Sequence, residues 1–434
     1  MRRRLFPRAF DHHPTTPPRH VTLAPRTLTW LALVLVTLAP GFTGAQEAEG
    51  EAGSTARRIV APPGTGLGLP FSPAVAAGDF LYLSGALGNQ PGTTQMAEDL
   101  GAQTRQTLDN LQRVLTADGL TEGRVVFSET FVADSRWHGA VADNERRRPG
   151  APTVDVARAA VTADLALPGA KLEIAKIAVR EGVEIRAVHP DGWRRIPGTS
   201  AGVEAGDTLF LSTQLGADPA TGEIVDGGIA PQTRRAMDNV GQVLKAAGLD
   251  YGDLARCRVY LADSRDYGAM NDAYGSFLGE EPPARATVRA SLDHPDALIG
   301  IQCVAVRDPT RKVIRAPGTK PSGRPFSPAI LAGGRLFLSG MVGRGADGYP
   351  DGVGPQTQVV LDRLEATLAA AGLGFHDVVS AAVFLSDVRY YGDMNAVYAK
   401  GVGSPAPARA TVGSLLMTPK ALVEIEMTAV VPTP

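Results

Sequence analysis

The chain has 434 residues, of which 44% are hydrophobic and 20% charged, and carries a formal net charge of −2. A chain this long holds about three domains of ~150 residues, each with enough apolar material to bury a core. A near-neutral balance without an acidic or basic tail argues against nucleic acid as the main partner.

Residues 1–45 differ from the rest. Basic residues in "MRRRLFPRAFDHHPTTPPRH" lead through Arg26 to the apolar run "LTWLALVLVTLA" from Leu28 to Ala39, and small residues follow in "TGA" before Gln46. A basic, then apolar, then small-residue order reads as a secretory signal, and the run is shorter than the ~20 residues of a spanning helix. The expectation is cleavage near Ala45 and an exported, periplasmic or extracellular protein. The basic region is long, so an uncleaved N-terminal membrane anchor, or a start nearer Val21, stays open. Residues 46–57 read as a linker.

From residue 58 one pattern occurs three times, as residues 58–181, 185–306 and 313–431. Each unit opens with a strand, "FLYLSG" (80–85), "TLFLST" (208–213) or "RLFLSG" (335–340). A helix follows in "QTRQTLDNLQRVLTADGL", "QTRRAMDNVGQVLKAAGL" and "QTQVVLDRLEATLAAAGL", where Met237, Val240, Leu244 and Ala247 keep helical spacing. Gly119, Gly248 and Gly372 stand at the left-handed cap position, each before a leucine. Further strands surround a second helix, "YGAMNDAYGSFL" in repeat 2 and "YYGDMNAVYAKGV" in repeat 3. In repeat 1 the matching stretch "DNERRRPGAPTV" holds Pro149 and no apolar face, so its helix is expected to be damaged and "DNERRRPG" to form an exposed loop. Cys257 and Cys303 fall in apolar strands of repeat 2 and read as buried packing, although an exported protein permits a disulfide. The seven histidines are scattered without metal-site spacing, and no metal is expected.

An arginine closes each pattern, Arg158 in "VARAAV", Arg285 and Arg409 in "PARATV". Together with "PFSPAVAAG" and "PFSPAILAG", "LSG", "MN" before an aromatic helix, and "VEIE", these motifs resemble the RidA (YjgF) family of enamine/imine deaminases in three tandem copies over residues 58–431. The resemblance implies an α+β fold: mixed sheets with two helices on one face, chorismate-mutase-like, in an assembly that is trimeric in the family. A single chain with three copies and short linkers would build that trimer internally, as a monomer.

The activity implied is hydrolysis of a 2-imino acid to a 2-keto acid and ammonia without a cofactor. By resemblance Arg158, Arg285 and Arg409 bind the substrate carboxylate, a task suited to a planar, permanently charged fork. A glutamate 15 residues later handles the attacking water in the family, which gives Glu173 and Glu424. The pairs Arg158 with Glu173 and Arg409 with Glu424 are therefore expected, in clefts finished by the adjacent repeat. Gly300 falls at that position in repeat 2, so the site of Arg285 is expected to be non-catalytic. Phe71 and Phe326 replace the family's tyrosine and keep an aromatic wall without its hydroxyl. Asn271 and Asn395 match the family's "MN" asparagine, which in repeat 1 aligns with either Ala142 or Asn144. Ser84 and Ser339 read either as cleft hydroxyls or as ordinary turn residues.

The partner expected is a small 2-imino or 2-keto acid. A degenerate trimer that binds small carboxylates without turnover is the competing reading. Some members have been described as ribonucleases, but no basic groove or stacking platform stands in this sequence.

Overall fold

The computed structural model describes residues 57–65, 67–148, 155–320 and 322–432. The export signal or anchor expected over residues 1–45 lies outside the described residues.

Each repeat opens its helical layer with a helix of 18 residues: α1 (Leu100–Ala117), α3 (Ile229–Ala246) and α5 (Val353–Ala370). Their apolar faces are buried, and each ends at the glycine expected from the sequence. Gly119, Gly248 and Gly372 have φ near 70°. The following leucine N–H then donates back to the last turn, as Leu120 does to the Leu115 carbonyl at 2.9 Å. This pairing satisfies carbonyls that the helix end would leave bare. The second helices are α2 (His138–Arg147), α4 (Tyr267–Gly275) and α6 (Tyr391–Val402).

The damaged helix expected in repeat 1 is a correction. The stretch is helical through Arg147, because Pro149 falls beyond that end and not within it. Val141 and Glu145, four residues apart, face inward. Glu145 is tolerated there because Arg158 and Lys176 reach its carboxylate.

In repeat 1 the strands lie in the order Arg58–Val60, Ala74–Ala77, Phe80–Leu87, Leu172–Val179, Val125–Val132, Ala157–Thr162. The corresponding six strands of repeat 2 and of repeat 3 keep this order. Only the last pair is parallel, and α2, α4 and α6 supply the crossovers that a parallel neighbour requires. The strand that carries the glutamate (Leu172–Val179) is thus separated from the strand that carries the arginine (Ala157–Thr162) by Val125–Val132.

The arginine strands would be open edges within their own sheets, and the next repeat covers each one. Asp164–Leu165 of repeat 1 pairs with Val412 and Gly413 of repeat 3. Ser291–Leu292 of repeat 2 pairs with Val161 and Thr162 of repeat 1. Leu416 of repeat 3 bridges Val288 of repeat 2, where the Arg289 N–H donates to the Leu415 carbonyl at 2.9 Å. Three head-to-tail contacts close a ring, and no arginine strand is left unpaired along its whole length.

The sheets pack their helix-free faces together inside this ring. Phe131, Tyr260 and Phe384, at one position in the three repeats, form one buried cluster, and Tyr82, Phe210 and Phe337 join another. Between these clusters lies a buried charged layer. Arg258 pairs with Glu129 of repeat 1 and Glu426 of repeat 3, and the Tyr260 hydroxyl donates to Glu129 at 2.7 Å. Burial would raise the Glu426 pKa, but Arg258 and Arg256 beside it hold it below its usual value.

The cysteines correct the sequence reading as well. Cys257 and Cys303 face each other on neighbouring antiparallel strands, with Cα atoms 4.1 Å apart, and form a disulfide. Two apolar strands were legible in the sequence, but not that these two residues would stand opposite each other in register.

Arg258 joins three repeats, so its removal leaves the buried Glu129 without its cation and Glu426 with Arg256 alone. Arg258→Met is expected to cost about 3–5 kcal/mol, read as a lower urea midpoint in equilibrium unfolding.

Candidate active site

The arginine strand meets the neighbouring repeat through its backbone first. On Ala408–Gly413, the N–H groups of Arg409 and Thr411 point to the same edge, as alternate residues do. Repeat 1 receives both. The Arg409 N–H donates to Ser84 Oγ at 2.7 Å, and the Thr411 N–H donates to Glu173 Oε1 at 3.3 Å. Ser84 is held in turn by donating to the Ser72 carbonyl at 2.6 Å. The same splice joins repeats 2 and 3, where the Arg285 N–H donates to Ser339 Oγ at 2.7 Å and the Thr287 N–H to Glu424 Oε1 at 3.4 Å.

The pairs expected within repeats are therefore replaced by pairs between repeats: Arg409 with Glu173, and Arg285 with Glu424. Within one repeat an intervening strand separates the two groups, at ~4.8 Å per strand spacing. Arg285, expected to lack a carboxylate, has one from repeat 3. Ser84 and Ser339 are buried splice points, not ordinary turns.

Glycine makes room for each glutamate. A Cβ on Gly85 would lie 1.8 Å from Glu173 Oε1, and one on Gly340 2.0 Å from Glu424 Oε1. Burial pushes both carboxyls up to about 8, against the opposing pull of a backbone N–H and of an arginine, Arg409 for Glu173 and Arg285 for Glu424. At neutral pH such a group is mostly protonated and ready to exchange a proton.

The arginines are held by rings. The Arg409 guanidinium carbon lies 5.3 Å from the Phe71 ring centre, 4.7 Å from Tyr398 and 5.8 Å from Tyr391. Arg285 has the same setting between Phe326, Tyr274 and Tyr267. Both arginines are buried, neither has an ion pair among the described residues, and one Nη of each finds no hydrogen-bond partner there. A buried cation without a counter-ion is costly, and an anion entering the cleft would remove that cost. Phe71, Ser84, Glu173, Tyr391, Arg409 and Thr411 line one cavity of about 120 Å³.

The asparagines differ. Asn271 Oδ1 accepts from Arg285 Nη2 at 2.6 Å, whereas the buried Asn395 Oδ1 finds no hydrogen-bond partner among the described residues. Tyr267 and Tyr391 were not singled out in the sequence. Their hydroxyls stand 3.4 Å from an Nη2 of Arg285 and Arg409, so each cleft has a phenol from the helix where the Phe71 and Phe326 positions lack one. Their signal was present, a tyrosine at the first residue of the second helix four before the asparagine.

The family model described as Endoribonuclease L-PSP matches residues 67–180, 196–307 and 318–431. The chain belongs to this family, the RidA (YjgF) family. A RutC family protein of Pyrococcus horikoshii is 40% identical over 109 residues, covering 25% of this chain and 86% of that protein. The 2-iminobutanoate/2-iminopropanoate deaminase of Capra hircus is 37% identical over 102 residues, 24% of this chain and 74% of that protein. Among solved structures, the E. coli YjgF gene product is 31% identical, covers 28% of this chain and 98% of its own, and has a TM-score of 0.27. Each of these relatives matches one repeat's length of this chain.

The third cleft of this RidA chain, between repeats 1 and 2, lacks the free guanidinium and the buried glutamate of the other two. Counting along α2 from His138, which stands where α4 and α6 begin with Tyr267 and Tyr391, puts Ala142 at the asparagine position. Glu145 then falls at the position of Tyr274 and Tyr398 and pairs with Arg158. The Gly198 carbonyl, from the shortened loop of repeat 2, accepts from Arg158 Nε at 2.8 Å. The Arg158 N–H still donates to Ser212 Oγ at 2.8 Å, so the splice survives while the anion socket is filled. Across from it the glutamate and its glycine have exchanged bulk: Gly300 stands where Glu173 and Glu424 do, and Thr213 where Gly85 and Gly340 do.

A Cβ on Gly300 would meet Thr213 Cγ2 at 2.7 Å and Leu292 Cδ2 at 2.9 Å. Gly300→Glu alone is therefore expected to lower the melting temperature, and Thr213→Gly added to it to recover part of the loss. Non-additivity in a double-mutant cycle of thermal melts checks this.

Proposed function

We propose that the chain is a cofactor-independent deaminase that hydrolyses 2-imino acids to 2-keto acids and ammonia in two clefts, Arg409 with Glu173 and Arg285 with Glu424. One observation carries the reading: a buried guanidinium without an ion pair among the described residues faces a buried glutamate across a repeat boundary, and at Arg409 and Glu173 the two line a cavity sized for a small acid. The activity printed for the Capra hircus relative supports it.

In this mechanism the substrate carboxylate takes the free N–H groups of Arg409 or Arg285 and so neutralises the buried charge. The ring walls and the Tyr391 or Tyr267 hydroxyl fix the guanidinium. The ionised glutamate accepts a proton from water as the water oxygen bonds to the imine carbon. The same carboxyl returns that proton to the nitrogen, giving a carbinolamine. It then takes the carbinolamine hydroxyl proton and passes it to the amino group as the carbon–nitrogen bond breaks, so the carbonyl of the keto acid forms and ammonia leaves. A positioned acid–base group of this kind contributes about 10²- to 10⁴-fold.

Two clefts operate, so variants must be paired. In an assay of keto-acid release from imines generated by an amino-acid oxidase, Arg409→Ala with Arg285→Ala is expected to abolish saturable turnover. Glu173→Gln with Glu424→Gln is expected to retain keto-acid binding and lose at least about a hundredfold in kcat. A wild-type protein that binds 2-keto acids in a thermal-shift titration without accelerating imine hydrolysis would establish the competing reading, a small-carboxylate binder.

Ionisation of the glutamates sets the pH dependence. With pKa values of about 8, the base form grows roughly tenfold per pH unit below 7 and levels off above 8. The rate over the uncatalysed reaction is expected to rise through that window, and the Glu→Gln pair to flatten it.

The Cys257–Cys303 bridge supports an oxidising compartment, in keeping with the export expected from residues 1–45.

A further inference from the structure

The two complete clefts share their chemistry and differ at their mouths. Phe71 follows Leu69 across a tight turn, and Phe326 follows Arg324 across the same turn, with N–H to carbonyl distances of 2.8 and 2.7 Å. Five residues beyond the splice serine stands Asn89 after Ser84, but Arg344 after Ser339. On the long helix Asn110 of α1 gives way to Arg363 of α5. These two are equivalent in space as well as in sequence: Asn110 Nδ2 donates to the Leu87 carbonyl at 3.0 Å, and Arg363 Nη1 to the matching Val342 carbonyl at 2.9 Å.

Leu69, Asn89 and Asn110 all line the cavity of Arg409 and Glu173. Around Arg285 and Glu424 the same three places hold guanidinium groups. Arg324 stacks 4.9 Å from the centre of the Tyr267 ring, whose hydroxyl contacts Arg285. Burial raises the pKa of the Tyr349 phenol, opposed by the charges of Arg344, Arg363 and Arg324 and helped by that of Glu424, in keeping with their equivalent places around one cleft. None of the three forms an ion pair among the described residues. All three are exposed, so they meet a ligand at the entrance, while Arg285 lies buried behind them.

We propose that the clefts have divided their substrates: the Arg409–Glu173 cleft takes 2-imino acids with an apolar side chain, and the Arg285–Glu424 cleft takes those bearing a second anionic group. The division rests on the deaminase reading for its imines, but its charge logic applies equally to keto-acid products. Arg285 would hold the carboxylate beside the imine. Arg324, Arg344 and Arg363 would hold the distal anion, in the way that guanidinium forks gather carboxylates. In the other cleft Leu69, Leu111 and Val114 offer an apolar wall, where a distal charge would be desolvated without a partner.

The test uses the full chain and two probes, 2-oxoglutarate and 4-methyl-2-oxopentanoate, in calorimetric titrations. The variant Arg324→Leu with Arg344→Asn and Arg363→Asn, which copies the other cleft, is expected to bind 2-oxoglutarate at least about tenfold more weakly, with its preference over the apolar acid lost. The triple lysine variant, which keeps the charges, is expected to recover most of that affinity. Unchanged 2-oxoglutarate affinity in the copied variant would overturn the division. Imines of the same two carbon skeletons, made with an oxidase, separate the two claims. Charge-dependent binding without turnover sinks the deaminase reading and leaves the division standing. Turnover of both imines that ignores the three arginines sinks the division and leaves the deaminase reading standing.

Discussion

Everything at the clefts depends on one contact, the backbone N–H of an arginine donating to a serine hydroxyl of the next repeat. Strand Ala408–Gly413 is the outermost of its own sheet, and its outward N–H groups need acceptors. Ser84 and Glu173 supply them from repeat 1. The acceptor that completes the strand is thus also the carboxyl that faces the arginine. Assembly and site formation become the same event, and a glutamate can be held in a dry setting because a backbone donor already occupies one of its oxygens.

The three clefts show what can be lost while that contact stays. The serine splice is present in all of them, yet the cleft of Arg158 has lost the free arginine and the glutamate on its two sides. Glu145 in place of a tyrosine neutralises the arginine from within its own repeat, and Gly300 with Thr213 replaces the glutamate and its glycine while keeping the volume filled. A threefold ring of identical units could not make such a change at one site only. Covalent linkage of the repeats frees each cleft to vary, and the arginines around Glu424 show the same freedom used to alter a site without closing it.

The buried layer at the centre follows the same logic. Arg258, Glu129 and Ala382 occupy one position in three repeats, and Arg258, with Arg256 beside Glu426, faces carboxylates that the other repeats provide. An ion pair buried this deeply contributes less to stability than its geometry suggests, because both partners lose water.

The sequence by itself determined the local structure and the inventory. Helix periodicity with a glycine and a leucine at each end placed α1, α3 and α5, and the recurrence of one arginine marked three copies of one corner. Those features are local: caps and apolar stripes act within a few residues. What only the tertiary structure decided was which groups meet. Counting 15 residues from arginine to glutamate pointed to Glu173 and Glu424 but joined each to the arginine of its own repeat, where an intervening strand keeps them apart. Edge pairing between repeats carries no signal in residue spacing, because it depends on the ring closing. For that reason Arg158, which reads like the others in sequence, is spent on Glu145, while Arg285, which has Gly300 at the glutamate position of its own repeat, faces Glu424 of the next.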